Sequence, residues 1–387
     1  MRLTDEQRSW VTLALVPGVG TAMFIRLLAR FRTPEAVLSA SRRALEEVVG
    51  PKLAERIVQY ADVSDVAGQE SALAKWGASL ITLEDPAYPL RLAEIYDPPL
   101  LLFIRGRMLE AEPPCVAIVG TRRATPYGIR MAEKFGRELA ARGVCVVSGM
   151  ASGIDAAAHR GALEAGGDTI AVLGCGVDIL YPRQNAELME QIVAKGSVVS
   201  QFPMGTGPSP GHFPYRNRII SGMSLGTLVI EAPLTSGALI TARQAAEQGR
   251  EVFAVPGQIG VVSSQGPHLL IREGAKLVET VEDILVELEL PARVRAANRP
   301  QPAPVDSEQS HAQGPATPPQ IALLKSQPAQ APRADMPKAD ASTNEERRIL
   351  QSLSPNGSHV DEIAQSCRVS VSEALSALTL LELKGRV

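Results

Sequence analysis

The chain predicts an α/β protein, with a Rossmann-like parallel sheet at its centre, an N-terminal helical domain before it and a small helical domain after it. Three observations carry this. Between residues 115 and 280 short apolar runs alternate with helix-like stretches, which implies parallel strands joined by right-handed crossovers. Over residues 1–75 helical periodicity is interrupted by Gly-containing turns. Residues 291–342 are dominated by Pro, Ala, Gln and other polar residues, and helical periodicity returns only from Thr343. The expected organisation is a helical domain over 1–75, an extended sheet domain over 76–290, a flexible linker over 291–342 and a last domain over 343–387. The linker holds too few large apolar residues to offset the entropy of ordering.

An apolar fraction of 45% is ample for a core, and the formal net charge of −3 excludes a uniformly basic nucleic-acid binder. Residues 115–280 hold 15 Lys/Arg against 13 Asp/Glu, a balance of +2, so any anion site there is a local cluster. The four cysteines, Cys115, Cys145, Cys175 and Cys367, form no CxxC pair. They read as reduced thiols, buried where they fall in apolar runs, and no metal site or cofactor is expected. Met1–Trp10 is charged and lacks the apolar core of a signal peptide. No run reaches the roughly 18 apolar residues of a membrane helix. These features predict a soluble, cytoplasmic protein without membrane insertion.

In the N-terminal region, Leu15–Gly20 precedes the helix pattern of Met23, Phe24, Leu27 and Leu28, and Val48–Ala54 precedes another. Both turns resemble the hairpin of helix-hairpin-helix (SAM-like) domains, in which glycines bring backbone N–H groups against a DNA phosphate. Pro51 removes one donor from the second hairpin. The same turns serve equally as plain connectors between helices. Residues 76–110 read as a strand at Trp76–Leu83, a Pro-rich loop, and a second strand within Asp97–Gly106, an added edge to the central sheet.

The centre reads as strand–helix pairs. Strand Cys115–Gly120 leads to helix Arg130–Arg142, Val144–Ser148 to Ala156–Gly166, Thr169–Leu173 to Asn185–Lys195, and Ser197–Phe202 through a long loop to Arg216–Met223. Thr227–Ala232 then leads to Leu239–Gly249, Glu251–Pro256 to Pro267–Gly274, and Lys276–Val278 to Val281–Glu289.

Ligands of such sheets bind beyond the carboxyl ends of the strands. The residues that follow each strand therefore define one edge: Gly120, Thr121 and Arg122; Ser148, Gly149 and Gly153; Arg183 and Asn185; Phe213, Arg216, Asn217 and Arg218; Ser236 and Gly237. Glycines, hydroxyls, aromatic rings and the four arginines Arg122, Arg183, Arg216 and Arg218 converge there. Guanidinium groups beside flat rings suit a ligand with both phosphates and bases. Pro214 places the start of the following helix at Arg216, with the polar groups of Phe213–Arg218 at its N-terminus, where anions are favoured.

The turn after the first strand lacks GxGxxG, and no GxxxxGK[S/T] loop occurs. Asp155 and His159 lie four apart on one helix without a Ser or Cys nucleophile elbow. They read as an N-capping carboxylate and a hydrogen-bonded histidine rather than a catalytic pair. Glu231, at a strand end, is open to two roles: a base, or a carboxylate that orients Arg216 or Arg218.

Together these segments resemble the DprA (Smf) family of DNA-processing proteins. The resemblance rests on Ala117–Arg122, Ser148–Asp155 with Ala158–Leu163, Val172–Val177 with Tyr181-Pro182, Phe213–Arg218, Ser236–Ala242, Val255–Gly257 and Gly274-Ala275, which occur in the family's order across the central domain. It implies a non-enzymatic mediator of natural transformation. Such a protein binds single-stranded DNA, loads the recombinase RecA past single-strand-binding protein, and forms a homodimer through the Rossmann-like domain. It also implies that Arg122 and Arg183 grip the strand. Two departures stand out: Ser152 occupies a position where many members carry arginine, and Gln201-Phe202-Pro203 replaces a Ser-Glu-aromatic-Pro pattern.

From Thr343 the helices Asn344–Leu353, His359–Ala364 and Val371–Leu383 have helix-turn-helix spacing and look like a winged helix. The third helix has no Arg or Lys before Lys384, which favours a protein-contact role over DNA reading. The alternative function is a nucleotide-processing enzyme of the lysine-decarboxylase-like Rossmann group. That group carries a Pro-Gly-Gly-x-Gly-Thr turn where this chain has Pro233-Leu-Thr-Ser-Gly237.

Overall fold

Alternation along the strand Cys115–Val119 sets the architecture. Val116 and Ile118 enter one apolar cluster, while Cys115, Ala117 and Val119 enter another on the opposite face. All five are buried, as expected for a strand covered by helices on both sides. The computed structural model describes residues 2–63, 65–107 and 113–290, together with Ser366 and Cys367. The linker and the helices read over 343–387 lie outside the described residues, those two positions apart.

Six helices open the chain: α1 (Asp5–Ala14), α2 (Thr21–Phe31), α3 (Pro34–Leu38), α4 (Arg42–Val49), α5 (Pro51–Val63) and α6 (Val66–Trp76). Thr4 and Gln7 form a capping box on α1, and Thr33, Ser41 and Asp65 cap α3, α4 and α6, each satisfying an otherwise orphaned N–H. Trp10 and Phe24 stack at 4.6 Å between α1 and α2. Their cluster continues into Leu80, Phe103 and Val198 on one face of the sheet.

The sheet comprises β1 (Ala78–Thr82), β2 (Leu101–Gly106), β3 (Cys115–Val119), β4 (Cys145–Ser148), β5 (Thr169–Val172), β6 (Ser197–Ser200), β7 (Gly226–Val229), β8 (Glu251–Ala254) and β9 (Lys276–Leu277). Its order is β1-β2-β6-β5-β4-β3-β7-β8-β9. From β6 to β9 every pairing is parallel, whereas β1–β2 and β2–β6 are antiparallel. The added edge is thus an antiparallel pair. Its loop carries α7 (Leu90–Ala93), and Tyr88 donates its hydroxyl to Pro99 O at 2.8 Å.

The crossovers are α8 (Pro126–Ala141), α9 (Ile154–Glu164), α10 (Ala186–Lys195), α11 (His212–Gly222), α12 (Gly237–Glu247), α13 (Gln265–Arg272) and α14 (Val281–Glu287). α11 starts four residues before the Arg216 expected from sequence. Pro214 is its third residue, where its missing N–H costs no hydrogen bond. Among the described residues no helix is long and apolar enough to cross a membrane.

Candidate nucleic-acid interface

Strand order reverses at β3, which has β4 on one side and β7 on the other. The turn after β3 is anchored there: Thr121 N–H donates to Glu231 O at 2.7 Å, and the Thr121 hydroxyl accepts from Arg123 N at 3.2 Å. Gly153 holds the opposite wall. Its φ of +82° lies in the left-handed region, and a Cβ there would meet Thr121 O at 2.4 Å, so only glycine fits. Two adjoining cavities open along this edge. The first, of about 610 Å³, lies between the turn after β3 and the start of α12. The second, of about 600 Å³, lies between the loops after β4 and β5. Arg122, Phe213 and Arg216 line both.

The dividing wall is aromatic and cationic. The Arg122 guanidinium lies over Phe213, 5.1 Å from the ring centroid, and Tyr181 packs against the same ring at 5.5 Å. Arg122, Arg123 and Arg183 are exposed, and their side chains form no hydrogen bond or ion pair among the described residues. Surface charges held this way, with Asp155 in the same cavity but not ion-paired to them, are available to an anion.

Ten of the fourteen sequence-predicted site residues line these cavities: Gly120, Thr121, Arg122, Gly149, Arg183, Phe213, Arg216, Asn217, Ser236 and Gly237. Ser236 caps α12 by accepting from Ala238 N at 3.2 Å. Asn217 donates to Gly237 O at 3.4 Å and ties α11 to α12.

Four residues fall elsewhere. Ser148 is fully buried and donates to Ile118 O at 2.6 Å, pinning β4 to β3. Gly153 acts from behind the wall, and Asn185 is buried and donates to Met150 O at 2.9 Å. Arg218 points away from the cleft. It donates to Asp97 O at 2.8 Å, Tyr215 O at 2.9 Å and Gln201 Oε1 at 2.8 Å, and it lies 3.9 Å from the Tyr215 ring centroid.

Arg216 forms the back wall and not a surface grip. It is 4% exposed, its Nη1 donates to Gly149 O at 2.8 Å and to Val172 O, and its Nε is buried without a partner. Gly149 permits this approach, since a Cβ there would lie 2.6 Å from Nη2. Burial lowers the Arg216 pKa to about 10, partly offset by Asp155, so the group is charged at neutral pH.

Asp155 is not the N-cap of α9; Gly153 is. The Asp155 carboxylate instead accepts from Gly149 N at 3.2 Å and Ala151 N at 3.4 Å, which fixes the loop after β4. Burial raises its pKa to about 6 against the opposing pull of Arg216. His159 is hydrogen-bonded, as the sequence predicts: its Nδ1 lies 2.7 Å from Thr169 Oγ1, and burial lowers its pKa to about 3. Glu231 orients neither arginine. It accepts from Thr125 N at 2.9 Å and Thr125 Oγ1 at 2.6 Å at the start of α8. Arg123 and Tyr181 also line the cleft, beyond the fourteen residues expected from sequence. The signal is present, since each lies within two residues of a predicted grip residue on the same turn.

Among the described residues no group of three His, Cys, Asp or Glu could hold a metal ion. Cys115, Cys145 and Cys175 are free thiols, and burial pushes the Cys175 pKa up to about 11.

Residues 79–289 match the family model of DNA recombination-mediator protein A. Residues 11–62 match the SAM-like helix-hairpin-helix tandem, and residues 329–387 the DprA winged helix domain. Protein Smf of Synechocystis is 41% identical over 291 residues, 73% of each chain. DNA processing protein DprA of Streptococcus pneumoniae is 47% identical over 205 residues, 53% of this chain and 72% of that one. Its crystal structure superposes with a TM-score of 0.66 at 35% identity, covering 75% of this chain and all of that one. A structure that concerns the single-stranded DNA binding mode of DNA processing protein A from Helicobacter pylori superposes with a TM-score of 0.50 at 30% identity, covering 55% of this chain and 96% of that one.

Proposed function

This chain belongs to the DNA recombination-mediator protein A family, and on that premise we propose that it binds single-stranded DNA in the two-part cleft and acts as a recombination mediator rather than an enzyme. The observation that carries the reading is the group of three exposed, unpaired arginines set around the Phe213–Tyr181 ring pair. Phosphates pair with guanidinium groups, and unstacked bases pack on aromatic faces. A duplex hides its base faces, so rings in a groove favour single strands. The Helicobacter pylori relative, studied for its single-stranded DNA binding, supports the same assignment.

Further parts of the proposal follow the family. The bound strand is protected and then passed to RecA in competition with single-strand-binding protein, in natural transformation and in DNA repair. The active form is a homodimer through the Rossmann-like domain, and the protein works in the cytoplasm. The two carboxylates nearest the cleft, Asp155 and Glu231, are both committed to donors from the protein, which speaks against the nucleotide-processing alternative.

The test is a salt titration of fluorescent oligo-dT binding with matched duplex as competitor. The expected result is a preference for the single strand and a steep fall in affinity with salt. Equal affinity for duplex, or binding that ignores salt, would overturn the assignment.

A further inference from the structure

The first cavity has features that a track for a continuous strand does not require. It sits where strand order reverses, between the ends of β3 and β7, the crevice in which open α/β sheets take ligands. One wall is the N-terminus of α12, an 11-residue helix. Ser236 Oγ accepts from Ala238 N, but the Gly237 N–H meets no acceptor among the described residues. Opposite stand Arg122 and Arg123, exposed and unpaired. At the back lies Arg216, 4% exposed, with its Nε buried and unpartnered.

A buried guanidinium without an ion pair is costly unless an anion joins it. The nearest carboxylate, Asp155, already holds two backbone N–H groups. Three guanidinium groups and a helix N-terminus, set against the one carboxylate of the lining, Asp155, still exceed the single charge of an internal phosphodiester, and a terminal phosphate carries close to two negative charges near pH 7. The second cavity, with Arg183, Gly149 and Tyr181 on its walls, is left for the running strand, and the Arg122–Phe213 pair stands between the two.

We propose that the first cavity is a separate subsite for the phosphomonoester of a nucleotide, either the phosphorylated end of a bound strand or a free nucleoside monophosphate. This deepens the single-stranded DNA reading and rests on it for the role of the second cavity. Phosphate oxygens meet the Gly237 N–H and the Ser236 hydroxyl on one side and the Arg122, Arg123 and Arg216 guanidinium groups on the other. The attached sugar and base lie against Phe213.

The experiment uses the full chain and short oligo-dT bearing a 5′-phosphate, a 3′-phosphate or hydroxyls at both ends, with dTMP against thymidine in a parallel calorimetric arm. Ser236→Asp keeps an N-cap residue favoured at that position while adding a negative charge to the cavity, and Arg123→Ala alters an exposed side chain. The expected result is a phosphate-dependent gain of about tenfold in at least one arm, the order of one charge-assisted contact set. Both variants should abolish that gain, and Arg183→Ala, which weakens all oligonucleotides alike, should retain it. A gain confined to the oligonucleotides assigns the subsite to strand ends, and one seen also with dTMP assigns it to free nucleotides as well. No gain in any arm, or a gain that survives Ser236→Asp, overturns the inference. Loss of all oligonucleotide binding in the unmodified protein would instead sink the DNA-binding reading, and the dTMP arm would still decide this one.

Discussion

The guanidinium of Arg122 lies over the ring of Phe213, 5.1 Å from its centroid, and joins the turn after β3 to the first turn of α11. Among the described residues the Arg122 side chain forms no hydrogen bond or ion pair, so the guanidinium remains open to a ligand. Replacing Arg122 by Ala should weaken oligo-dT binding by roughly 1–3 kcal/mol and reduce the salt slope by about 1. Arg183→Ala should act in the same direction. Anisotropy titrations at several salt concentrations would measure both, and unchanged affinity in the two variants would mean the strand lies elsewhere.

Phe213→Ala should lower affinity by a similar amount, about 1–3 kcal/mol, because a base loses its stacking partner. Its salt slope should stay as in the parent protein, since no charge is removed. A reduced slope would show that the ring acts mainly by positioning Arg122.

Local pattern made much of this legible. The alternation of strands and helices, the added edge before β3 and the glycine-rich turns at the carboxyl ends all follow from periodicity within short windows, and ten of the predicted site residues line the cleft. The Arg-Asn-Arg run is less legible. Arg216 and Arg218 are two apart on α11, hence on different sides of the helix. One turns to Gly149 and Val172, the other to Asp97 and Gln201. Partners that distant leave no trace in spacing, and an arginine bonded to backbone carbonyls looks in sequence like one that waits for phosphate. Glu231 is the same case, since its partner Thr125 lies 106 positions away.

Arg218 should therefore report as a stability residue. Arg218→Ala removes donors to Asp97 O, Tyr215 O and Gln201 and should cost about 2–4 kcal/mol, since hydrogen bonds from charged groups are each worth roughly 1.5–3 kcal/mol. Thermal melts should show a clear fall in Tm, with the salt slope of DNA binding unchanged. A variant of parental stability with a lower salt slope would place Arg218 back in the interface.

The helix read over Val371–Leu383 has no Arg or Lys before Lys384. Deleting residues 343–387 should accordingly leave oligo-dT affinity within about threefold, because little of the electrostatic contribution would be lost. A near-total loss of binding would assign the DNA contact to the winged helix domain.

Acid should reveal Asp155. Its folded pKa is about 6 against an ordinary 3.8, so the folded chain takes up this proton before the unfolded chain does. The group therefore adds stability as pH falls from about 6 towards 3.8, and that contribution is absent at neutral pH. His159 works in the opposite sense: its folded pKa is about 3 against 6.5, so stability is lost as pH falls below 6.5. The two offset each other between about pH 6 and 4, which predicts a shallow acid profile. An Asn at position 155 can keep both backbone hydrogen bonds through Oδ1 but cannot take up the proton. Asp155→Asn should thus steepen the fall in Tm between pH 7 and 5 by leaving His159 unopposed. The same variant bears on binding. Protonation of Asp155 removes the negative charge beside Arg216, so affinity for oligo-dT in the parent protein should rise as pH drops through about 6. Asp155→Asn should bind more tightly at pH 7.5 and lose that step. Parallel pH profiles for the two proteins, in melting and in binding alike, would show that Asp155 does not titrate in this range.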